Sequence, residues 1–182
     1  MGHEIELLKI VCERLNQINV PYMLTGSLAA HFYAVPRMTR DIDIVVEILD
    51  PKVNKLFQAF KNGFYIDKRS IEEAIKYESM FNAIHEYSCF KIDFIIRKNS
   101  SYRSVEFQRR RQLELDGVKI WIVASEDLII SKLDWAKDSL SEMQIKDVRN
   151  LMSTVNNLDV LYIEKWVQSL NLDEIYKKVK TA

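Results

Sequence analysis

Glycine and proline are scarce in this chain, at 4 and 3 of 182 residues, which excludes the low-complexity and disordered classes that depend on them. Cysteine is scarcer still. Cys12 and Cys89 lie far apart and form no CxxC pair, so a disulfide scaffold is excluded and two reduced core thiols are expected. Net charge is missing too: 26 Lys+Arg face 26 Asp+Glu, which excludes a polybasic nucleic-acid coat or a basic membrane-surface peptide. Long apolar runs are absent, so no membrane span is expected. Glu4 and Glu6 precede the first apolar cluster, the wrong sign for a signal peptide, and Glu6 stands where a myristoylation site needs Ser or Thr. A cytoplasmic protein is expected.

What is present is 48% apolar and 10% aromatic residues, enough at this length to bury roughly 70% of the unfolded surface without metal or disulfide support. The spacing of Ile5, Leu8, Val11, Cys12, Leu15 and Ile18 predicts a first helix, followed by a strand over Val20 to Leu24. Thr25-Gly26-Ser27 breaks that strand and opens a second helix that ends before Pro36. Asp41 to Ile48 is β-branched and reads as a central strand. Asp50-Pro51 caps the next helix, Gly63 stops it, and Ser70 with Glu73 forms a capping box for another. Strands are expected over Phe81 to Ser88 and Phe90 to Arg97, and a hairpin turns at Asp116-Gly117. From Ser125 onward the pattern is helical, with caps at Ser125, Ser141, Asp159 and Asn171. The expected organisation is a sheet-rich core over 1–124 and a helical segment over 125–182 packed on it as one unit.

The chemistry concentrates between Leu24 and Val46. Gly26 and Ser27 fall where a strand hands over to a helix, so free N–H groups and the positive helix end point outward toward a phosphate. Asp41 and Asp43 project from one face of a strand, where they repel each other unless a cation lies between them. Asp93 starts another apolar strand. If the strands are neighbours, three aspartates converge beside a phosphate-binding turn, as Mg²⁺-assisted (or Mn²⁺-assisted) nucleotidyl transfer from an NTP requires.

Gly26-Ser27, Asp41-x-Asp43 and Asp93, in this order, resemble the DNA polymerase β-like nucleotidyltransferase superfamily. Within it, Arg37-x-Thr39-x-Asp41-x-Asp43, Lys91-x-Asp93, Glu126-Asp127-Leu128-Ile-x-x-Lys132-Leu and Lys146-Asp147 are most similar to the abortive-infection (AbiEii-type) nucleotidyltransferases, many of them toxins of toxin–antitoxin pairs. The likeness runs from residue 24 to about 150. It implies an α+β (α/β) nucleotidyltransferase fold, with a mixed central sheet flanked by helices and a short helical C-terminal segment. It also implies roles: Gly26, Ser27, Arg37 and Lys132 on the nucleotide; Asp41, Asp43 and Asp93 on the metal and in catalysis; Thr39 and Asp147 as accessory residues; an antitoxin as a partner. Lys146 replaces an arginine frequent in that family, and the C-terminal region is short, so acceptor choice does not carry over. By composition alone Lys132 is a surface lysine and His31 a helix-face residue. Arg37 and Arg40 either neutralise phosphate or pair with Asp41 and Asp43, and Arg37 is favoured as the positioning residue.

One imbalance hides in the neutral total. Arg97, Lys98, Arg103, Arg109, Arg110 and Arg111 face only Glu106, with Tyr102 and Phe107 between them. Such a stretch either tracks an RNA backbone with aromatic stacking or forms a solvated loop and strand edge. The expected function is transfer of a nucleoside monophosphate to an RNA, protein or small-molecule hydroxyl with release of pyrophosphate. The alternative is a non-catalytic nucleotide- or partner-binding module on the same fold.

Overall fold

Strict alternation in Asp41–Val46 sends Ile42, Ile44 and Val46 into the core, all fully buried, and leaves Asp41 and Asp43 on the other face. Around this strand the computed structural model, which describes residues 2–48, 52–139 and 141–180, builds one seven-stranded mixed sheet. The elements in chain order are α1 (Gly2–Gln17), β1 (Tyr22–Thr25), α2 (Gly26–Ala30), β2 (Asp41–Val46), α3 (Val53–Phe60), β3 (Phe64–Ile66), α4 (Lys68–Lys76) and β4 (Met80–His85). There follow β5 (Lys91–Ile96), α5 (Ser101–Gln108), β6 (Arg111–Leu115), β7 (Val118–Ile122), α6 (Ser125–Ser139), α7 (Glu142–Thr154), α8 (Val160–Ser169) and α9 (Asp173–Lys180).

The strand order is β3-β4-β5-β2-β1-β7-β6. β2 runs antiparallel to β1 and parallel to β5, so the sheet is mixed at its centre. Helix α1 packs on β7 and α3, while α2 fills the corner between β1, β2 and α6. Helices α7, α8 and α9 gather around α6, whose Leu128, Ile129, Ile130 and Leu133 are all fully buried. Burying three successive apolar side chains on a helix requires protein on more than one side, which the three neighbouring helices supply.

Several local expectations change. Helix α4 is capped by Asp67, which accepts from the Arg69 and Ser70 amides, so the helix starts a turn before the Ser70–Glu73 box. The Asp50-Pro51 cap lies outside the described residues. Cys12 is buried, but Cys89 is an exposed turn residue at φ 54° and not a core thiol. Asp116 and Gly117 both take positive φ, 48° and 82°, as a tight two-residue hairpin turn demands.

The basic stretch from Arg97 to Arg111 is neither a loop nor a free cationic track. Ser100 caps α5 within it, and most of its arginines are engaged internally. Arg97 binds Glu47 at 2.6 Å, Arg103 binds Glu106 and Asp134 at 3.0 and 2.8 Å, and Arg109 binds the fully buried Asp127 at 2.8 Å. Arg111 lies 3.6 Å from Glu126, and Arg110 stacks over Phe107 and Trp121 at 4.2 and 4.9 Å from their centroids. Apart from Glu106, the neutralising acids are distant in sequence, so a local count leaves the stretch looking bare.

Candidate active site

Four neighbouring strands put one residue each into a single row: Thr25 pairs with Asp43, Asp43 with Asp93, and Asp93 with Asn82. Directly paired residues project to the same face, so the row carries two adjacent carboxylates between a hydroxyl and an amide. The row behind it pairs Asp41 with Lys91. Asp93 is buried, with one oxygen 2.8 Å from Lys91 Nζ and the other accepting from the Asn82 amide. Lys91 Nζ also stands 3.9 Å from Asp41. Burial, then the neighbouring Asp93 and Asp41 charges, raise the Asp43 carboxyl to about 6.

The turn after β1 approaches this row closely. Gly26 has φ +67°, and a Cβ on it would stand 2.7 Å from Asp43 Cγ and 2.8 Å from Asp43 Cβ. Only glycine lets the backbone pass there. Ser27 follows, its hydroxyl accepting from the Arg37 guanidinium. The Thr39 hydroxyl donates to the Asp41 carbonyl at 3.4 Å. Ser27, Arg37, Thr39, Arg40, Asp41 and Asp43 line an open cavity of about 450 Å³, to which Met143 and Gln144 of α7 also contribute.

The helical segment joins through one carboxylate. Asp147 on α7 accepts from Lys132 Nζ on α6 at 2.7 Å and from Arg37 Nε at 3.0 Å, and Lys132 also donates to Gln144 at 3.1 Å. Burial alone would raise the Asp147 carboxyl, but the hydrogen bonds from Arg37 and Lys132 outweigh it and hold the group below the ordinary range. Burial lowers the Lys132 ammonium despite this partner. Lys132 is therefore a buried, paired cation and not a surface lysine. His31 lies half-buried on the same corner, its Nε2 without a hydrogen-bond partner.

The donor set fits a hard divalent cation: three carboxylates on two adjacent rows, one with its proton affinity raised by burial and then by the other two. Among the described residues no three such groups already enclose one point as a formed metal site would. Lys91 supplies the positive charge between Asp41 and Asp93 instead, and its side chain is 42% exposed.

The structure thus brings Gly26, Ser27, Arg37, Thr39, Asp41, Asp43, Asp93, Lys132 and Asp147 into one region. Reading the sequence missed Asn82, Gln144 and the reach of Arg37 to Asp147. Asn82 was within reach of the period-two pattern of β4, had its register against β5 been known. The two bonds to α7 leave no local signal.

No curated protein matches the sequence. Solved structures share the fold at low identity. The antibiotic-resistance factor ANT(2'')-Ia, in complex with adenylyl-2''-tobramycin, is 15% identical with a TM-score of 0.60, covering 94% of this chain and 98% of its own. The lincosamide antibiotic adenylyltransferase LnuA, bound to lincomycin, is 17% identical with a TM-score of 0.56, covering 84% and 97%. An antigenic nucleotidyltransferase-like protein from Paracoccidioides brasiliensis is 15% identical with a TM-score of 0.56, covering 94% and 91%. A family model described as a nucleotidyltransferase of unknown function, DUF6036, matches residues 4–180, and the chain belongs to that family.

Proposed function

We propose that this nucleotidyltransferase moves a nucleoside monophosphate from an NTP to an acceptor hydroxyl and releases pyrophosphate. The observation that carries the reading is the Asp43–Asp93 pair, beside which the Gly26 backbone passes too closely for any side chain. The triphosphate takes the cavity over Ser27, where the start of α2 and the Arg37 guanidinium meet its oxygens. Lys132 stands behind Asp147 as a second cation for the same charge. Asp41, Asp43 and Asp93 hold a divalent ion, Mg²⁺ or Mn²⁺, which when bound neutralises the phosphate oxygens and the developing charge. Asp93, fixed by Asn82 and Lys91, orients the acceptor hydroxyl and takes its proton.

The test is incubation with α-³²P-labelled NTPs, Mg²⁺ or Mn²⁺ and a panel of acceptors, with pyrophosphate release followed in parallel. Transfer is expected from the native chain and none from Asp41→Ala with Asp43→Ala. Activity that survives the double substitution sinks the two-aspartate reading.

A further inference from the structure

A second cavity, of about 500 Å³, opens on the same face of the sheet on the other side of the carboxylate row. Val45 and Ile95 form its floor and are themselves a register pair, one in-face step beyond Asp43 and Asp93. Two residues of strand advance about 7 Å. Thr25, which pairs with Asp43, lines the end nearest the carboxylates, and Trp135 of α6, 61% exposed, stands at the wall. The cavity around Ser27 lies toward Asp41, in the opposite direction along β2. The two spaces share no lining residue; Asp43 lines the first, and its register partner Thr25 lines the second.

Phosphoryl transfer places the attacking and leaving oxygens in line on opposite sides of phosphorus. An NTP seated over Ser27 with its α-phosphate at the carboxylate row would direct pyrophosphate toward Asp41 and leave the opposite flank to the acceptor.

The lining decides the acceptor's character. Arg103 lies against Glu106 and Asp134, with the Ser131 hydroxyl accepting from it at 2.6 Å, and Arg97 is paired with Glu47. Among the described lining residues Lys98 is the one cation without an acid partner. The wall is therefore close to neutral and already satisfied, which suits neither a phosphate backbone nor a polycation. An apolar floor, an exposed indole and a few hydroxyls, in a volume within the roughly 300–1,000 Å³ of small-molecule sites, suit an uncharged ligand with a flat part.

We infer that this cavity is the acceptor site and that the acceptor is an uncharged, hydroxyl-bearing small molecule with a flat apolar portion that packs on Trp135. The inference rests on the nucleotidyl-transfer reading above. In the step, the acceptor oxygen forms a bond to the α-phosphorus while the bond from that phosphorus to the bridging oxygen breaks. The hydroxyl proton passes to the Asp93 carboxylate, and pyrophosphate carries away the electron pair of the broken bond.

The experiment is titration of ¹⁵N,¹³C-labelled full chain with three uncharged aryl glycosides, phenyl β-D-glucopyranoside, salicin and arbutin, and separately with ATP. At least one glycoside should saturably shift the Trp135 indole N–H and the Ile95 methyls, and Trp135→Ala, at an exposed position that leaves the fold intact, should weaken it at least tenfold with ATP affinity within twofold. No shift from any glycoside, with ATP shifts intact around Ser27, overturns the acceptor assignment alone. No ATP shift overturns the nucleotidyl-transfer reading, and the acceptor role falls with it. Labelled ATP in the presence of a 12-nucleotide RNA with a free 3′-hydroxyl is the remaining arm: labelling of the RNA in preference to the glycosides overturns the small-molecule assignment.

Discussion

Lys132 Nζ and Asp147 Oδ2 lie 2.7 Å apart where α6 meets α7, and the guanidinium of Arg37 holds the other oxygen of the same carboxylate at 3.0 Å. One acid thus ties the loop that carries Arg37 to both α6 and α7. Asp147→Ala should cost about 3 kcal/mol of stability at neutral pH, because it leaves Lys132 buried without its partner, and denaturant unfolding measures it.

The same carboxylate gives a pH signature. Its folded pKa lies below its unfolded value, so its contribution is fully present above about pH 4 and is lost as pH falls through the folded value. The stability gap between the native chain and Asp147→Asn should hold from pH 7 to 5 and close below pH 4. A gap that widens in acid contradicts the assignment.

Gly26→Ala should abolish nucleotide binding. The new Cβ must displace the Asp43 side chain, and the backbone keeps a left-handed conformation that costs a non-glycine residue about 1–3 kcal/mol. Thermal shift by ATP should vanish, and the melting temperature without ligand should fall by several degrees, at about 2–4 °C for each kcal/mol lost.

Asp127 is fully buried and accepts from the Tyr162 hydroxyl at 2.6 Å and from Arg109 at 2.8 Å. Arg109→Ala should destabilise the fold by about 3 kcal/mol by leaving that charge unpaired, with no selective change in binding of a single-stranded RNA. A loss of RNA affinity with stability unchanged would restore the cationic-track reading of residues 97–111.

The two thiols should separate by reactivity. Burial pushes the Cys12 thiol up to about 12, whereas Cys89 is exposed. Iodoacetamide at pH 8 should modify Cys89 alone, and Cys12 only in denaturant.

The legible parts of this fold are those whose signal is local. The alternation of Asp41–Val46, the Asp116-Gly117 turn and the Ser141 cap each declare themselves within a few residues, and the paired aspartates were visible because strand period alone puts them on one face. What stayed hidden depends on partners far along the chain. The three residues of β3 are too short for any periodicity, and α5 was obscured by arginines whose acids sit at Glu47, Asp127 and Asp134. Asn82 joins Asp93 only through a register between strands, and Arg37 meets Asp147 only through the packing of α7.

The parallel pairing of β2 with β5 has a kinetic meaning. Antiparallel neighbours can zip from a turn, but Asp43 meets Asp93 only after the whole crossover through α3, β3, α4 and β4 has closed. Contacts so distant in sequence carry loop-closure entropy and form late. The candidate site is therefore among the last features to assemble, and substitutions that loosen the crossover should slow the arrival of nucleotide binding during refolding more than the arrival of helix content.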